Sequence, residues 1–226
     1  MKSLACLLVM MVVVGCVPRY QNSLMVNKVD DLLGSIHVIE LRAEVLLDDE
    51  WVGIKQKGGT SFAIEGGYLI ALSHATRIPD VQIWGTTLVY NKVRNRTYWI
   101  GDKQIELLGR IDDVSLFKTP WMENSPFVLG SDPVVGTDLV VLGNSMLNGI
   151  NIKTGIVSML DTGKFELDDC FTHTVPLNAG DSGSPILAIR GASYEVVGIA
   201  NAGTSAQGYN FGIYISRVKE VLDELS

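Results

Sequence analysis

Asn178-Ala179-Gly180-Asp181-Ser182-Gly183-Ser184-Pro185 is the stretch on which the reading of this chain turns. At average amino-acid usage the string Gly-Asp-Ser-Gly-Ser-Pro arises on the order of once in ten million positions. A serine that attacks a carbonyl needs a tight turn that presents its hydroxyl. The same turn must aim backbone N–H groups at the oxygen that becomes negative. Gly180 has no Cβ to obstruct such a turn, so the N–H groups of Gly180 and Ser182 can converge on one point. Gly, Asp, Ser and Pro also build ordinary hairpin turns, so context has to decide.

Two further segments supply that context. Gly67 to Ala75 is an apolar strand ending in Ser73-His74-Ala75. A general base has to sit at the end of a rigid element, free to reach a nucleophile. The second is Ile111-Asp112-Asp113-Val114-Ser115-Leu116-Phe117-Lys118. A carboxylate opening a hydrophobic strand is costly to bury unless it is hydrogen-bonded. Orienting an imidazole Nδ1–H meets that need, although paired Asp residues are also common in turns.

Around these segments the chain alternates short apolar runs with turn signals. The runs are Ile36–Leu41, Val45–Ile54, Phe62–Ile64, Tyr68–Leu72, Val81–Trp84, Thr87–Tyr90, Thr97–Ile100, Ile105–Ile111 and Val114–Lys118. Pro120 to Pro133 reads as a connecting segment. A second series follows: Leu139–Leu142, Gly155–Leu160, Cys170–Val175, Pro185–Ile189, Val196–Ala200 and Phe211–Ile215. Many short strands at regular spacing predict an all-β barrel or sandwich in two similar halves. Ser216 to Leu225 reads as a helix with Ser216 as its N-cap, since Val218, Val221, Leu222 and Leu225 recur at helical spacing.

Composition narrows the functions. The 226 residues are 47% hydrophobic and 19% charged, with net charge −7 and no cluster of Lys and Arg, which argues against nucleic-acid binding. His37, His74 and His173, with Cys6, Cys16 and Cys170, show no metal-ligand spacing, so no metal or cofactor is expected. His37 and His173 read as packed structural histidines.

The amino terminus reads as an address. Lys2 precedes an apolar run from Leu4 to Val14, too short to span a bilayer as a helix and suited to a signal peptide over residues 1–15. Val13-Val14-Gly15-Cys16 resembles a bacterial lipobox, which implies diacylglycerol on Cys16, a palmitate-bearing lipoprotein and a membrane as partner. Residues 16–33 would form a tether. Cys170 would then be the only cysteine outside the signal and anchor, leaving no intramolecular disulfide.

Taken together, His74, Asp113 and Ser182 resemble the triad of trypsin-like serine proteases in its chain order. The resemblance is to the bacterial HtrA/Deg branch and covers roughly residues 50 to 225 by this motif walk. It runs through Gly66–Ala75, Asp113–Lys118, Val135–Ser145, Lys153–Ser158, Val197–Asn201 and Tyr209–Ile213. It implies two six-stranded antiparallel β-barrels, about 34–118 and 134–215, with a terminal helix. It also implies catalytic His74, Asp113 and Ser182, an oxyanion hole from Gly180 and Ser182, and a polypeptide substrate. The register behind it selects Asp113 over Asp112.

Pro176, Ala200, Asn201, Ala202 and Gly212 should line the substrate pocket, and none is charged, which points to a small or medium apolar side chain before the scissile bond. Asp181 stands where Deg proteins usually carry Asn. In zymogen-activated relatives this Asp pairs with a new N-terminus; no such activation site is present here, so Asp181 needs another partner. No PDZ domain is expected to follow, and trimer assembly is not carried over. A lipid-anchored serine endopeptidase of the cell envelope is thus expected, on the outer membrane if Gram-negative. A peptide-binding protein that has lost catalysis is the competing class.

Overall fold

Leu69, Ile70, Ala71 and Leu72 are consecutive and all fully buried, so neither face of their strand meets water. Leu69 and Ala71 point into one apolar cluster, with Ile39, Leu41 and Phe117; Ile70 and Leu72 point into another, with Leu116, Leu142 and Leu187. Side chains alternate across a strand, so this continuous apolar run is a strand between two cores.

The computed structural model describes residues 29–78, 82–84, 87–90, 92–160, 169–191, 193–203 and 209–226. In chain order the strands of the first half are β1 (Ile36–Leu47), β2 (Glu50–Ile64), β3 (Tyr68–Leu72), β4 (Gln82–Trp84), β5 (Thr87–Tyr90), β6 (Val93–Ile100), β7 (Lys103–Ile111) and β8 (Val114–Lys118). Six of them close an antiparallel barrel in the order β1-β2-β3-β8-β7-β6, and β4 pairs with β5 alone. The second half contributes β9 (Asp138–Gly143), β10 (Asn151–Met159), β11 (Cys170–His173), β12 (Pro185–Arg190), β13 (Ser193–Gly203) and β14 (Asn210–Tyr214), closed as β10-β11-β14-β13-β12-β9. The expectation of two six-stranded barrels and a C-terminal helix is met.

Both barrels share the seam. β9 and β12 repeat the two-faced pattern of β3: Leu139, Val141, Ile186 and Ala188 fill the second barrel, while Val140, Leu142 and Leu187 face the first. The C-terminal helix (Ile215–Leu225) adds Ile215, Val218 and Val221 to the same seam cluster.

Three local expectations are corrected. The run Val45–Ile54 is broken by a two-residue turn at Asp48-Asp49, both with positive φ (48° and 65°), which matches the twist of flanking hairpin strands. Ser216 is not the helix cap. The capping position is Tyr214, without a side-chain bond, and the Ser216 N–H is satisfied by Asp132 Oδ1 at 2.9 Å from the connecting segment. Residues 29–33, expected to be part of a tether, are helical, and Val29 and Leu32 are buried in the cluster that holds Phe62 and Phe127. The signal segment 1–15 and Cys16 lie outside the described residues.

Candidate active site

β3 ends at Leu72, opposite Val114 at the start of β8, so the residues that follow one strand and precede the other lie side by side. The Ser73 N–H donates to the Asp113 carbonyl at 2.7 Å. Ser73 Oγ meets Ser115 Oγ at 3.0 Å, and Thr76 Oγ1 donates to the Leu72 carbonyl at 2.9 Å, which pins the short turn His74–Thr76 from beneath. The Asp113 carboxylate takes two contacts from one residue. Oδ1 accepts the His74 backbone N–H at 2.9 Å, and Oδ2 lies 2.6 Å from His74 Nδ1. An ionised carboxylate only accepts, so this contact suits a proton on Nδ1, the tautomer in which Nε2 is an acceptor. Asp112 points elsewhere: with φ +50° it sends its carboxylate to Arg217 of the C-terminal helix.

Ser182 sits in the turn that leads into β12. Within it the Asp181 N–H donates to the Asn178 carbonyl (3.0 Å) and the Ser184 N–H to the Asp181 carbonyl (2.9 Å). Gly183 N–H reaches the Ala200 carbonyl at 2.8 Å, tying the turn to β13. The first barrel grips the turn from the other side: the Thr60 N–H donates to the Ser182 carbonyl (2.8 Å), and Thr60 Oγ1 to the Gly180 carbonyl (2.7 Å). Approach here is close enough to require glycine. A Cβ on Gly59 would strike the Ser182 carbonyl and come within 2.8 Å of the Ala75 methyl, the residue after His74. One point of β2 therefore touches both halves of the site.

Gly180 has φ +94°, in the region glycine enters freely, and a side chain there would meet the Asn144 carbonyl at 2.5 Å. The Ala179 carbonyl accepts from the Met146 N–H at 2.6 Å. In a trans peptide the C=O and N–H point opposite ways, so the Gly180 N–H faces away from Met146. Among the described residues neither the Gly180 nor the Ser182 N–H has a partner. Ser182 Oγ donates to the Asn201 carbonyl at 3.0 Å.

The other sequence-predicted positions divide. Asn201 contacts Ser182 and Cys170. Pro176 is exposed on the segment before the turn. Ala200 is fully buried with the second-barrel core, and a Cβ on its partner Gly212 would meet Ile186 at 2.5 Å and Phe171 at 2.7 Å, so both face the barrel interior. For Ala202 only the backbone pairing with Phe211 is described. His173 is fully buried beside Phe171, and burial pushes its pKa down to about 4; His37 is lowered by burial as well. Cys170 is buried, and burial pushes its thiol pKa up to about 11. A cavity of about 910 Å³ opens beside His74 and Asp113, with Arg77, Arg96, Tyr98 and Arg110 on its walls.

Sequence reasoning left the partner of Asp181 open, and the structure supplies it. Asp181 is completely buried and forms an ion pair with Lys153 of β10, while Ser145 Oγ donates to both carboxylate oxygens at 3.0 Å. The sequence pattern pointed the other way. In β10 the apolar Ile152 and Ile156 are exposed while Lys153 faces in, an inversion of the usual alternation.

No protein-family model and no curated protein sequence matches the chain. Its fold is that of trypsin-like serine proteases of the HtrA type. The HtrA-type protease AlgW, solved with a decapeptide, superposes with a TM-score of 0.67 at 20% identity over 88% of this chain and 66% of its own. The serine endoprotease from Yersinia pestis gives 0.62 at 16% identity over 92% of this chain and 67% of its own. An inactive serine-to-alanine form of Rv3671c from M. tuberculosis gives 0.59 at 20% identity, over 88% and 89%. The chain thus spans about two thirds of the first two structures and most of the third.

Proposed function

We propose that the chain is a serine endopeptidase. The observation that carries this reading is the two-point clamp of Asp113 on His74, which leaves Nε2 to serve as a base, while Gly59 of β2 lies against both Ala75, the next residue, and the Ser182 carbonyl. Ser182 Oγ attacks the scissile carbonyl while His74 takes its proton, and Asp113 keeps the ring in the required tautomer and stabilises the imidazolium. The N–H groups of Gly180 and Ser182 receive the oxyanion; a single donor of this kind contributes about 10²–10³ in kcat. Collapse of the tetrahedral intermediate expels the amine, which takes the proton from His74, and water then hydrolyses the acyl-enzyme by the same route. The substrate is a polypeptide, in keeping with the peptide carried by AlgW. The Val13–Cys16 motif supports lipid attachment at Cys16 and an envelope membrane as the site of action.

The hydrogen bond from Ser182 Oγ to the Asn201 carbonyl favours a second reading, a peptide-binding protein without catalysis. Catalytic hydrogen bonds often tighten only when substrate binds, so the enzyme reading accommodates this resting contact. A fluorophosphonate probe separates the two. Covalent labelling of the wild type that disappears in Ser182→Ala is the result expected of the enzyme. Absence of labelling and of peptide cleavage in the folded protein would leave the binding reading.

A further inference from the structure

Asp181 lies between the two residues whose N–H groups form the oxyanion hole, and its carboxylate has no access to water. Its surroundings are specific. Lys153 provides the counter-charge, with its own side chain 12% exposed; the Asn178 N–H donates to Oδ2 at 2.7 Å; Ser145 Oγ bridges both oxygens. Gly143 makes the room, because a Cβ there would overlap Asp181 Oδ1. All of these except Asn178 belong to the β9–β10 hairpin.

The same hairpin shapes the hole. Ser145 begins the short turn Ser145–Leu147, in which Met146 and Leu147 both have positive φ (56° and 55°), a conformation that such side chains adopt only when their surroundings impose it. The Met146 N–H holds the Ala179 carbonyl, and that contact sets the direction of the Gly180 N–H. A chain of contacts therefore runs from Lys153 through Asp181 and Ser145 to Met146, Ala179 and the Gly180 N–H.

We propose that Lys153 is a positioning residue: its buried ion pair with Asp181 holds the Asn178–Ser182 turn and the Ser145–Leu147 turn together and so keeps the oxyanion hole formed. This rests on the endopeptidase reading above. A carboxylate stripped of its counter-charge cannot stay buried at low cost, so it either takes up a proton or swings the turn toward water. A turn that swings toward water carries Gly180 with it. The pair supplies from within the chain the counter-charge that Asp181 requires.

The test compares wild type with Lys153→Met, Lys153→Arg, Asp181→Asn and the double variant Lys153→Met/Asp181→Asn. Each is assayed for peptide cleavage and fluorophosphonate labelling well below its unfolding midpoint. Lys153→Met is expected to lose about 100-fold in kcat, the scale of one oxyanion donor, with KM changed by less than about threefold. Lys153→Arg retains most of kcat. The double variant recovers about tenfold or more over Lys153→Met, because a neutral amide needs no counter-charge and can still accept from Ser145 and Asn178. Unchanged kcat in Lys153→Met, or a double variant no better than the single, overturns the proposal. If Lys153→Met does not fold, the double variant decides against Asp181→Asn: equal kcat in the two supports the charge-pairing role, and a further hundredfold loss in the double overturns it. A wild type that neither labels nor cleaves is a failure of the endopeptidase reading instead.

Discussion

Thr60 donates its N–H to the carbonyl of Ser182 over 2.8 Å, a hydrogen bond from a strand of the first barrel to a turn of the second that reaches the backbone of the candidate nucleophile itself. The Thr60 hydroxyl repeats the link, donating to the Gly180 carbonyl and accepting from the Asn144 N–H at 3.2 Å. Thr60 is fully buried, so these groups have no water to turn to. Thr60→Val keeps the shape and the N–H bond but strips the hydroxyl from two partners. A stability loss of about 1–3 kcal/mol in urea unfolding is expected. Peptidase activity should fall with it by about tenfold at temperatures where the protein stays folded, because the Gly180 carbonyl is released.

Adjacent aspartates have separate duties. Asp113→Asn should fold and lose about four orders of magnitude in kcat, since the amide favours the wrong imidazole tautomer and cannot stabilise the imidazolium. Asp112→Asn should cost little. Its side chain reaches Arg217 on the helix, largely in solvent, where such pairs contribute little, and Asn tolerates the positive φ of this position as well as Asp does. Steady-state cleavage of one peptide by both variants, with circular dichroism to confirm folding, decides the matter; a crippled Asp112→Asn beside an intact Asp113→Asn would reverse the assignment.

His173 gives the fold an acid-sensitive point. Its pKa, pushed down to about 4 by burial, lies below the ordinary value of 6.5, so between these pH values the unfolded chain binds the extra proton. Stability from this group is complete above pH 6.5 and is lost progressively as pH falls toward 4, by on the order of 3 kcal/mol. Urea unfolding from pH 7 to pH 4 should show a steeper decline for wild type than for His173→Phe, which fills similar space without titrating. Parallel curves would show that this histidine is not the source.

Cys170 should resist chemistry in the folded state. The thiolate is the reactive form, and burial holds the thiol pKa at about 11. Iodoacetamide at pH 8 is expected to modify it only after unfolding, and reductant should leave activity unchanged. Mass spectrometry of the alkylated native protein checks this directly.

Much of this was legible in the residues. The Gly180–Pro185 string, the apolar run into His74 and the strand behind Asp113 each carried enough chemistry to point to a candidate site and suggest the two barrels. The two-faced strands were visible as unbroken apolar runs in Tyr68–Leu72 and Pro185–Ile189. Pairings between distant residues were harder. Lys153 and Asp181 are 28 positions apart, and only strand direction and the turn between β9 and β10 bring them together. The helix start was misread because its cap comes from Asp132, far away in the chain, which no local pattern announces.

Strands without a solvent face also bear on how far such a chain can change. A substitution in β3 or β12 is judged by two interiors at once, yet each interior asks mainly for volume and apolarity, which several residues provide equally well. Letters in the seam can therefore be exchanged in compensating groups while the barrels keep their relation. The strict demands fall on the few places where backbone meets backbone across the seam, such as Gly59 and Gly183, whose added carbons would strike Ser182 and Thr60. Sequence likeness can then fade to the level of 16–20% while the architecture is retained, with the memory of the fold held by contacts that have no side chain at all.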